Sequence, residues 1–328
     1  MDEDQLMQTL PEEKVGESAL VRALSLASNG ALYDQRAILL ERETNVFVST
    51  FHSEVLTCRL NDGSQCRLFC KRGAPHADKV YGHKGGVPYE ALVYERILAP
   101  LLVSAPGFKG AHSDNDGQTW LFIDFLDHAY RVSKLSEENA MASAARWVGQ
   151  FHALNESRVR ESDLSFLQRY DEEYYLGWAR RTARFAGKLH HRFPWLNTLC
   201  GRFEEAAIRL LRGAQTIIHG EYTPHNVLIR RGTVYPVDWE SAAIGAGEID
   251  LATLTEAWPA SVETECADAY RHARWSNGVT ADFENTLDCA RLYVTMRWLG
   301  AKQEWTVEDR NLWRFDVLRA AGERLGLI

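Results

Sequence analysis

The chain has 328 residues and a formal net charge of −8, with 45% hydrophobic and 25% charged residues. These are ordinary values for a globular protein, and the length is sufficient to bury a large core and to form two lobes. The negative charge argues against nucleic acid or an anionic membrane surface as the main partner.

The start of the chain and its cysteines favour a reducing compartment. Met1-Asp2-Glu3-Asp4 is acidic where a secretory signal would be basic, and no apolar run approaches the ~18 residues of a membrane span. Six cysteines are scattered along the chain, without a Cys-x-x-Cys pair. We therefore expect a cytoplasmic protein with buried thiols and no membrane partner.

The N-terminal third is predicted to be rich in strands. Residues 1–30 are expected to form an acidic extension, with a helix over 17–27 that ends at the turn signal Asn29-Gly30. The strands that follow are predicted over 37–40, 54–60, 65–71 and 120–126. Asn61-Asp62-Gly63 is predicted to be the hairpin turn between the second and third of these strands.

Most of the remaining pattern is helical. An apolar stripe with Pro88 in the first turn predicts a helix over 88–98. Further helices are predicted over 137–154, 163–182, 195–213, 249–258, 262–276, 281–300 and 306–325. The sequence therefore predicts an α+β protein, with a β-rich first third followed by a helical remainder.

Two short polar loops interrupt the helical part. The first, His219-Gly220-Glu221-Tyr222-Thr223-Pro224-His225-Asn226, lies between the apolar runs at 217–218 and 227–229. The second begins at Asp238, after the apolar run 234–237. These runs are typical of a hairpin-like pair of strands with polar groups gathered at one end. A carboxylate that accepts a proton, beside an amide and a second carboxylate that hold Mg²⁺, is what phosphoryl transfer from ATP requires.

These loops resemble the aminoglycoside phosphotransferase-like branch of the protein-kinase superfamily. Its catalytic loop reads His-Gly-Asp-x-x-x-x-Asn, and its metal loop is an Asp after an apolar strand. Glu221 stands where the family usually has Asp. A subset of bacterial members is similar in carrying His-Gly-Glu at this place. The resemblance runs from about residue 35 to the C-terminus. It implies a bilobal protein-kinase-like fold, with a β-rich N-lobe over 31–125 and a mostly helical C-lobe over 126–328.

The resemblance also implies nucleotide contacts in the N-lobe. Lys71, at the end of the third strand, would hold the phosphates, with Glu90 as its partner and Glu95 as the rival. The covering loop has no glycine, so the hydroxyls of Ser49 or Thr50 would add donors to the backbone N–H groups. An ordinary solvated lysine and an ordinary Ser/Thr turn are the alternatives.

The nucleotide base would lie between the lobes. Asp124 to Leu126 would be the hinge whose backbone groups pair with the adenine edge, and Leu228 and Val237 would form the apolar floor. Simple core packing explains these positions equally well.

The two polar loops would carry the chemistry. Glu221 is the candidate base, and Asn226 and Asp238 would hold Mg²⁺. His219 would hold the shape of the first polar loop, and Asp250 would hydrogen-bond to the backbone of that loop. The alternative for Asp250 is an ordinary acidic residue at the start of a helix. Acceptor contacts are expected from His225, Glu240, Arg297 and Trp298.

The expected function is a Mg²⁺- and ATP- or GTP-dependent phosphotransferase. The acceptor would be a hydroxyl of a small molecule such as an aminoglycoside, sugar, amino alcohol or secondary metabolite, and the acidic chain is compatible with a cationic one. Two alternatives are a kinase of Ser/Thr in a peptide and a nucleotide-binding module without catalysis. An unrelated hydrolase using Glu221 and His219 ranks far behind, because the chain lacks a Gly-x-Ser-x-Gly elbow.

Overall fold

The computed structural model of the protein describes residues 16–27, 37–45, 50–75, 84–134, 139–275 and 282–328. The chain divides into two compact units. The first contains the described part of Met1–Ala129 together with Val237–Glu240, and the second contains that of Tyr130–Pro236 and Ser241–Ile328. Strands dominate the first unit and helices the second, so the predicted α+β class and the order of its parts are confirmed.

The first unit is built on a five-stranded antiparallel sheet. Its strands are β1 Ile38–Thr44, β2 His52–Arg59, β3 Gln65–Gly73, β4 Phe108–Ser113 and β5 Thr119–Asp124. Their order across the sheet is β1-β2-β3-β5-β4. The predicted turn joins β2 to β3, where Gly63 has a φ of 83° and Leu60 N–H donates to Ser64 O at 2.8 Å. Glycine adopts this left-handed conformation at little steric cost.

One face of the sheet is covered by helix α1, Glu17–Ala27. Buried side chains of the helix and the sheet form one apolar cluster: Leu20, Ala23, Leu24, Ala27, Leu56, Cys58, Leu68, Cys70, Trp120 and Phe122. Because successive side chains of a strand alternate between faces, Lys71 on β3 points away from this cluster while Cys70 belongs to it.

Helix α2, Val87–Val93, contacts β3 and β5 and has proline in its first turn, as predicted. The chain then widens into a π-helical turn over Tyr94–Leu98, in which Ala99 N–H donates to Tyr94 O at 2.9 Å. The sequence predicted a single regular helix over 88–98, and the change of winding was missed. A π turn holds one residue more than an α turn, so an apolar stripe can continue through it.

The second unit contains two small sheets. Its strands are β6 Tyr130–Arg131, β7 Gln168–Arg169, β8 Gln215–Ile218, β9 Val227–Arg230, β10 Thr233–Pro236 and β11 Ala243–Ala246. One sheet has the order β10-β9-β6 and the other β7-β11-β8. The predicted hairpin is the β9–β10 pair, whereas β8, which precedes the first polar loop, belongs to the other sheet.

Helices make up the rest of the second unit. They are α3 Ala140–Asn155, α4 Glu172–Phe185, α5 Leu196–Arg212, α6 Glu248–Leu254, α7 Ala260–Arg274, α8 Phe283–Ala301, α9 Gln303–Val307 and α10 Trp313–Arg324. Helix α8 is buried along most of its length and contacts α4, α5, α6 and α10. Among the described residues no helix is both long enough and apolar enough to cross a membrane.

Three helix predictions need correction. The helix predicted over 163–182 begins at Glu172, because Asp171 caps it by accepting from Tyr174 N–H at 2.8 Å. The helix predicted over 249–258 ends at Leu254. The helix predicted over 306–325 is broken into α9 and α10 by a 3₁₀ turn at Asp309–Asn311.

Candidate active site

Lys71 is the centre of a buried ion-pair group in the first unit. Its side chain is only 5% exposed, and Nζ lies 2.7 Å from Glu90 Oε2 and 2.6 Å from Asp238 Oδ1. The ammonium also lies 5.6 Å from the centre of the Phe51 ring. Glu90 is the partner expected from the helical phase, and its rival Glu95 is exposed.

Lys71 and the carboxylates around it shift one another's pKa values. Burial alone would lower the pKa of Lys71, but the carboxylates of Glu90, Asp238 and Glu240 raise it above its usual range. Burial raises the pKa of Glu90 to about 7 against the opposing effect of the Lys71 ammonium, and the carboxylates of Asp238 and Glu240 add to the rise. A cation with two hydrogen-bonded carboxylates stays charged, so the site keeps a fixed positive charge beside Asp238.

The segment Val237–Glu240, here called the Asp238 loop, is held at successive residues. Trp239 N–H donates to Glu90 Oε1 at 3.1 Å. Gly85 N–H donates to Glu240 O at 2.7 Å, and Lys84 Nζ lies 2.9 Å from Glu240 Oε1. Asp238 itself has a φ of 68°, a left-handed conformation that Asp and Asn tolerate better than most residues.

In the second unit, residues 219–226 form what we call the Glu221 loop. Gly220 has a φ of 81°, and a Cβ at this position would lie 2.1 Å from Ser241 O. Only glycine fits both the conformation and the close approach. Thr223 N–H donates to Glu221 O at 2.7 Å, and Asn226 Nδ2 donates to the same oxygen at 3.1 Å. The tight turn therefore orients both ends of the loop.

Asp250 on α6 fixes the start of this loop. Its carboxylate accepts from His219 N–H at 2.7 Å and from Gly220 N–H at 2.9 Å, and its side chain is inaccessible to solvent. The His219 ring is also buried, and its Nδ1 accepts from Glu221 N–H at 3.3 Å. Both side chains therefore hydrogen-bond to the backbone at the start of the Glu221 loop.

His152 on α3 was missed by the sequence analysis. Its Nε2 lies 3.1 Å from Asp250 Oδ2, and its Nδ1 lies 3.0 Å from the Tyr270 hydroxyl. Because a carboxylate can only accept, Nε2 carries the proton and Nδ1 accepts from Tyr270. Burial lowers the pKa of His152, against the opposing effect of Asp250. A lone histidine in an apolar helix was the available signal, but such residues are common in ordinary cores.

Glu221 has a cationic neighbour. Arg297 Nη1 lies 3.4 Å from Glu221 Oε1, and the two side chains are 7% and 19% exposed. Burial alone would lower the pKa of Arg297, but Glu221 and nearby tyrosines raise it. Its neighbour Trp298, expected beside it at the acceptor, instead packs on Trp305 with ring centres 5.3 Å apart, and the Arg314 guanidinium lies over it at 4.3 Å.

The structure adds little support for the other residues that were expected to contact the nucleotide. Ser49 lies outside the described residues, and Thr50 is exposed. The backbone N–H of Asp124 donates to Gly107 O at 2.9 Å, so an adenine contact at this residue would have to use its carbonyl oxygen. Leu126, at the other end of the expected hinge, is half-buried.

The remaining expected residues differ in exposure. Leu228 and Val237 are half-buried in separate units, and His225 is exposed. Glu240 is 1% exposed and pairs with Lys84, so its burial gives no support to an acceptor contact.

All six cysteines are free thiols. Burial raises the pKa of Cys58, Cys200, Cys266 and Cys289 to about 12. Thiols with such pKa values are protonated at neutral pH and are poor nucleophiles. The raised pKa values therefore disfavour nucleophilic chemistry at these four thiols.

Asp238 and Asn226 each offer an oxygen atom of a kind that suits a hard divalent cation. Asp238 offers a carboxylate that is 35% exposed, on a loop held by its neighbours. Asn226 uses its amide nitrogen to donate to Glu221 O, which leaves its amide oxygen as the acceptor end of the side chain. Carboxylate and amide oxygens are ligands that Mg²⁺ prefers.

Solved structures share this fold. The choline kinase of Cryptosporidium parvum Iowa II aligns with a TM-score of 0.61 and 12% identity, over 95% of this chain and 98% of that one. A variant aminoglycoside 2'-phosphotransferase in complex with GDP has a TM-score of 0.61 and 13% identity, over 87% and 93%. Spectinomycin phosphotransferase in complex with ADP and spectinomycin has a TM-score of 0.56 and 12% identity, over 96% and 100%.

The sequence also matches a family model. No curated protein matches the sequence. Residues 94–283, however, match the model of the phosphotransferase enzyme family, abbreviated APH, and this range contains both the Glu221 loop and the Asp238 loop. The match covers more than half of the chain, and the protein therefore belongs to the phosphotransferase enzyme family.

Proposed function

We propose that the protein is a Mg²⁺- and ATP-dependent phosphotransferase that moves the γ-phosphate to a hydroxyl of a small molecule. The observation that carries this proposal is the buried group of Lys71, Glu90 and Asp238 in a chain of the phosphotransferase family. A buried ammonium held between two carboxylates adds little net stability to a fold, because the cost of desolvation offsets most of the Coulomb attraction. Its value lies in presenting a fixed charge to a ligand.

Lys71 and Asp238 form the nucleotide side of the proposed site. The ammonium of Lys71 would bind nucleotide phosphate oxygens, and Glu90 keeps its side chain in place. Asp238 and Asn226 would hold Mg²⁺, which would neutralise charge on the phosphates when bound. Complexes of two structural neighbours with GDP and with ADP support a nucleotide ligand of either base type.

Glu221 forms the acceptor side. Its carboxylate would accept the proton of the acceptor hydroxyl, or orient that hydroxyl towards the phosphate. The backbone of the Glu221 loop is fixed by Asp250 and by the turn around Glu221 O, so the carboxylate is presented from a rigid support. Rigid presentation is the main contribution a protein makes to phosphoryl transfer.

Arg297 narrows the class of acceptor. Its guanidinium lies against Glu221 and would be close to any hydroxyl that Glu221 contacts. A positive group on the acceptor near this hydroxyl would meet the guanidinium in a poorly solvated place, where like charges repel most strongly. We therefore favour a neutral or anionic small molecule over the cationic acceptor considered from the net charge alone.

Binding of ATP and GTP, each with Mg²⁺ and with EDTA, tests the nucleotide half by calorimetry. Asp238→Asn is the informative variant, because Asn tolerates the left-handed backbone while removing the charge. We expect Mg²⁺ to strengthen binding to the wild type and to do little for the variant. Equal binding by both proteins with Mg²⁺ would contradict the role of Asp238.

A panel of hydroxylated compounds then tests the acceptor half. The panel pairs ammonium, uncharged and carboxylate compounds of similar shape, and turnover is followed by nucleotide diphosphate release. Transfer to a peptide serine in preference to every small molecule would overturn the proposed acceptor class.

A further inference from the structure

Glu240 is a buried carboxylate that the proposed chemistry does not use. It is 1% exposed, whereas its partner Lys84 is 29% exposed in its side chain. Lys84 Nζ lies 2.9 Å from Glu240 Oε1. Among the described residues Glu240 Oε2 has no hydrogen-bond partner. The direct hydrogen-bonded ion pair that this carboxylate makes with a described side chain is therefore the one with Lys84, and the Lys71 ammonium acts on it without a hydrogen bond.

Forming this ion pair and breaking it have very different effects on stability. A buried ion pair contributes little net stability, but removal of one partner leaves an uncompensated charge in the interior. Here the partner at risk is Glu240, because Lys84 can reach solvent while Glu240 cannot. Without Lys84, the Glu240 side chain loses this direct partner and has to move towards water, and the backbone that carries it has to follow.

That backbone is the Asp238 loop. Lys84 is followed by Gly85, whose N–H donates to Glu240 O at 2.7 Å, so the same short segment holds both the side chain and the main chain of Glu240. Glu90, on the helix that starts just after this segment, accepts from Trp239 N–H. Lys71 holds Asp238 itself. The loop is thus fixed residue by residue from β3, from α2 and from the segment before α2.

We propose that Lys84 and Glu240 are a positioning pair that sets the place of Asp238 for its cation. In this role the pair acts on Asp238 through the Asp238 loop and is assigned no contact with nucleotide or acceptor. This inference rests on the proposed function of Asp238 as a Mg²⁺ ligand. It assigns to Lys84 and Glu240 a role in how strongly Mg²⁺ reinforces nucleotide binding, and no role in nucleotide binding without the metal.

The test measures one ratio, the affinity for ATP with Mg²⁺ divided by the affinity for ATP with EDTA, by calorimetry on the full chain. Partners of metal ligands typically change metal affinity by about 10- to 100-fold when they are removed. We expect Lys84→Gln to lower the ratio by at least about tenfold, with ATP affinity in EDTA nearly unchanged. Lys84→Arg keeps the charge and is expected to retain most of the ratio.

Lys109→Gln is the matched control. Lys109 has the same exposure as Lys84, at 28% against 29%, and pairs with Asp124 at 3.0 Å against 2.9 Å. Its partner is exposed, however, at 42%. Loss of this pair is therefore expected to leave the ratio at the wild-type value, since exposed ion pairs contribute little.

Glu240→Gln keeps the test usable if Lys84→Gln does not fold, because it removes the buried charge instead of orphaning it. The double variant Lys84→Gln/Glu240→Gln should behave like Glu240→Gln alone, since residues that act as a pair are not additive. A ratio unchanged in both single variants, or effects that simply add in the double variant, would overturn the inference. A wild type without any Mg²⁺ effect would instead overturn the proposed function, and the role of this pair with it.

Discussion

Arg297 and Glu221 form a largely buried ion pair, with Arg297 Nη1 3.4 Å from Glu221 Oε1. The two residues lie on α8 and on the Glu221 loop, far apart in the sequence. Their contact places a guanidinium directly against the carboxylate of the candidate base. It also accounts for how a glutamate, longer by one methylene than the usual aspartate, can be held in one position.

We expect Arg297→Gln to lower kcat by about 10- to 100-fold with the acceptor found in the panel, because Glu221 loses its neighbouring charge and its support. The KM for nucleotide should stay close to that of the wild type, since Arg297 is assigned no nucleotide contact. Arg297→Lys keeps the charge without the planar fork and should give an intermediate rate. Steady-state kinetics measure both constants, and an unchanged kcat in Arg297→Gln would exclude a role in the reaction.

Glu221→Gln should reduce phosphoryl transfer by a factor on the order of 10² or more, because the amide cannot accept the proton. Nucleotide affinity should change little, and calorimetry checks this separately from the rate.

Glu221→Asp is the sharper substitution. Shortening the side chain withdraws the carboxylate from Arg297 by ~1 Å, a displacement large enough to lower the rate. A faster Glu221→Asp enzyme would mean that the contact with Arg297 hinders the reaction.

The contacts of the site that depend on nearby sequence could be predicted, and those that depend on the packing of distant elements could not. Lys71 and Glu90 could be paired in advance, because a strand end and the helical phase of the next element restrict the choice. Arg297 could be named only as a wall residue, because its pairing with Glu221 depends on how α8 packs in the second unit. His152 and Lys84 were missed for the same reason: their importance comes from the partners that folding provides.

The missed elements have a similar explanation. Strand β4 reads Phe-Lys-Gly-Ala-His-Ser, without β-branched residues or alternation, and its edge position is set by pairing with β5. Asp163 and Asp171 both precede acidic or apolar helical patterns, and neither pattern distinguishes Asp171 as the cap. The break between α9 and α10 contains neither proline nor glycine, so no local signal marked it.

Asp250→Ala should destabilise the fold by roughly 3 kcal/mol, because two backbone N–H groups and His152 lose a buried acceptor together. Urea unfolding followed by circular dichroism measures the free energy of unfolding. The control is Asp268→Ala, since Asp268 is 50% exposed and pairs with Arg271 on the same helix. Loss of the Asp268–Arg271 pair should lower the free energy of unfolding by less than about 1 kcal/mol. Equal effects of the two substitutions would contradict the structural role of Asp250.

The stability should also fall in mild acid because of His152. Its pKa is lowered by burial below the ordinary value of 6.5. Between the lowered pKa and 6.5, the unfolded chain binds more protons than the folded one, so the stabilisation is complete above 6.5 and is lost as the pH falls through this window. The loss from one such group is at most about 1.4 kcal/mol per pH unit.

His152→Gln removes this titration while leaving an acceptor and a donor near Asp250 and Tyr270. The free energy of unfolding, measured from about pH 5 to about pH 7.5, should therefore depend less steeply on pH in the variant than in the wild type. Parallel pH curves for the two proteins would show that His152 is not responsible.

The π-helical turn over Tyr94–Leu98 has a consequence for how the length of this region can vary among relatives. One additional residue in a regular helix would rotate everything beyond it by about 100°, and Ile97 and Leu98 would leave the apolar interior. The π-helical turn, which lies between Glu90 and β4, accommodates one additional residue without this rotation. A homologue shorter by one amino acid at this point can therefore wind a normal helix and still present its glutamate to the lysine of β3.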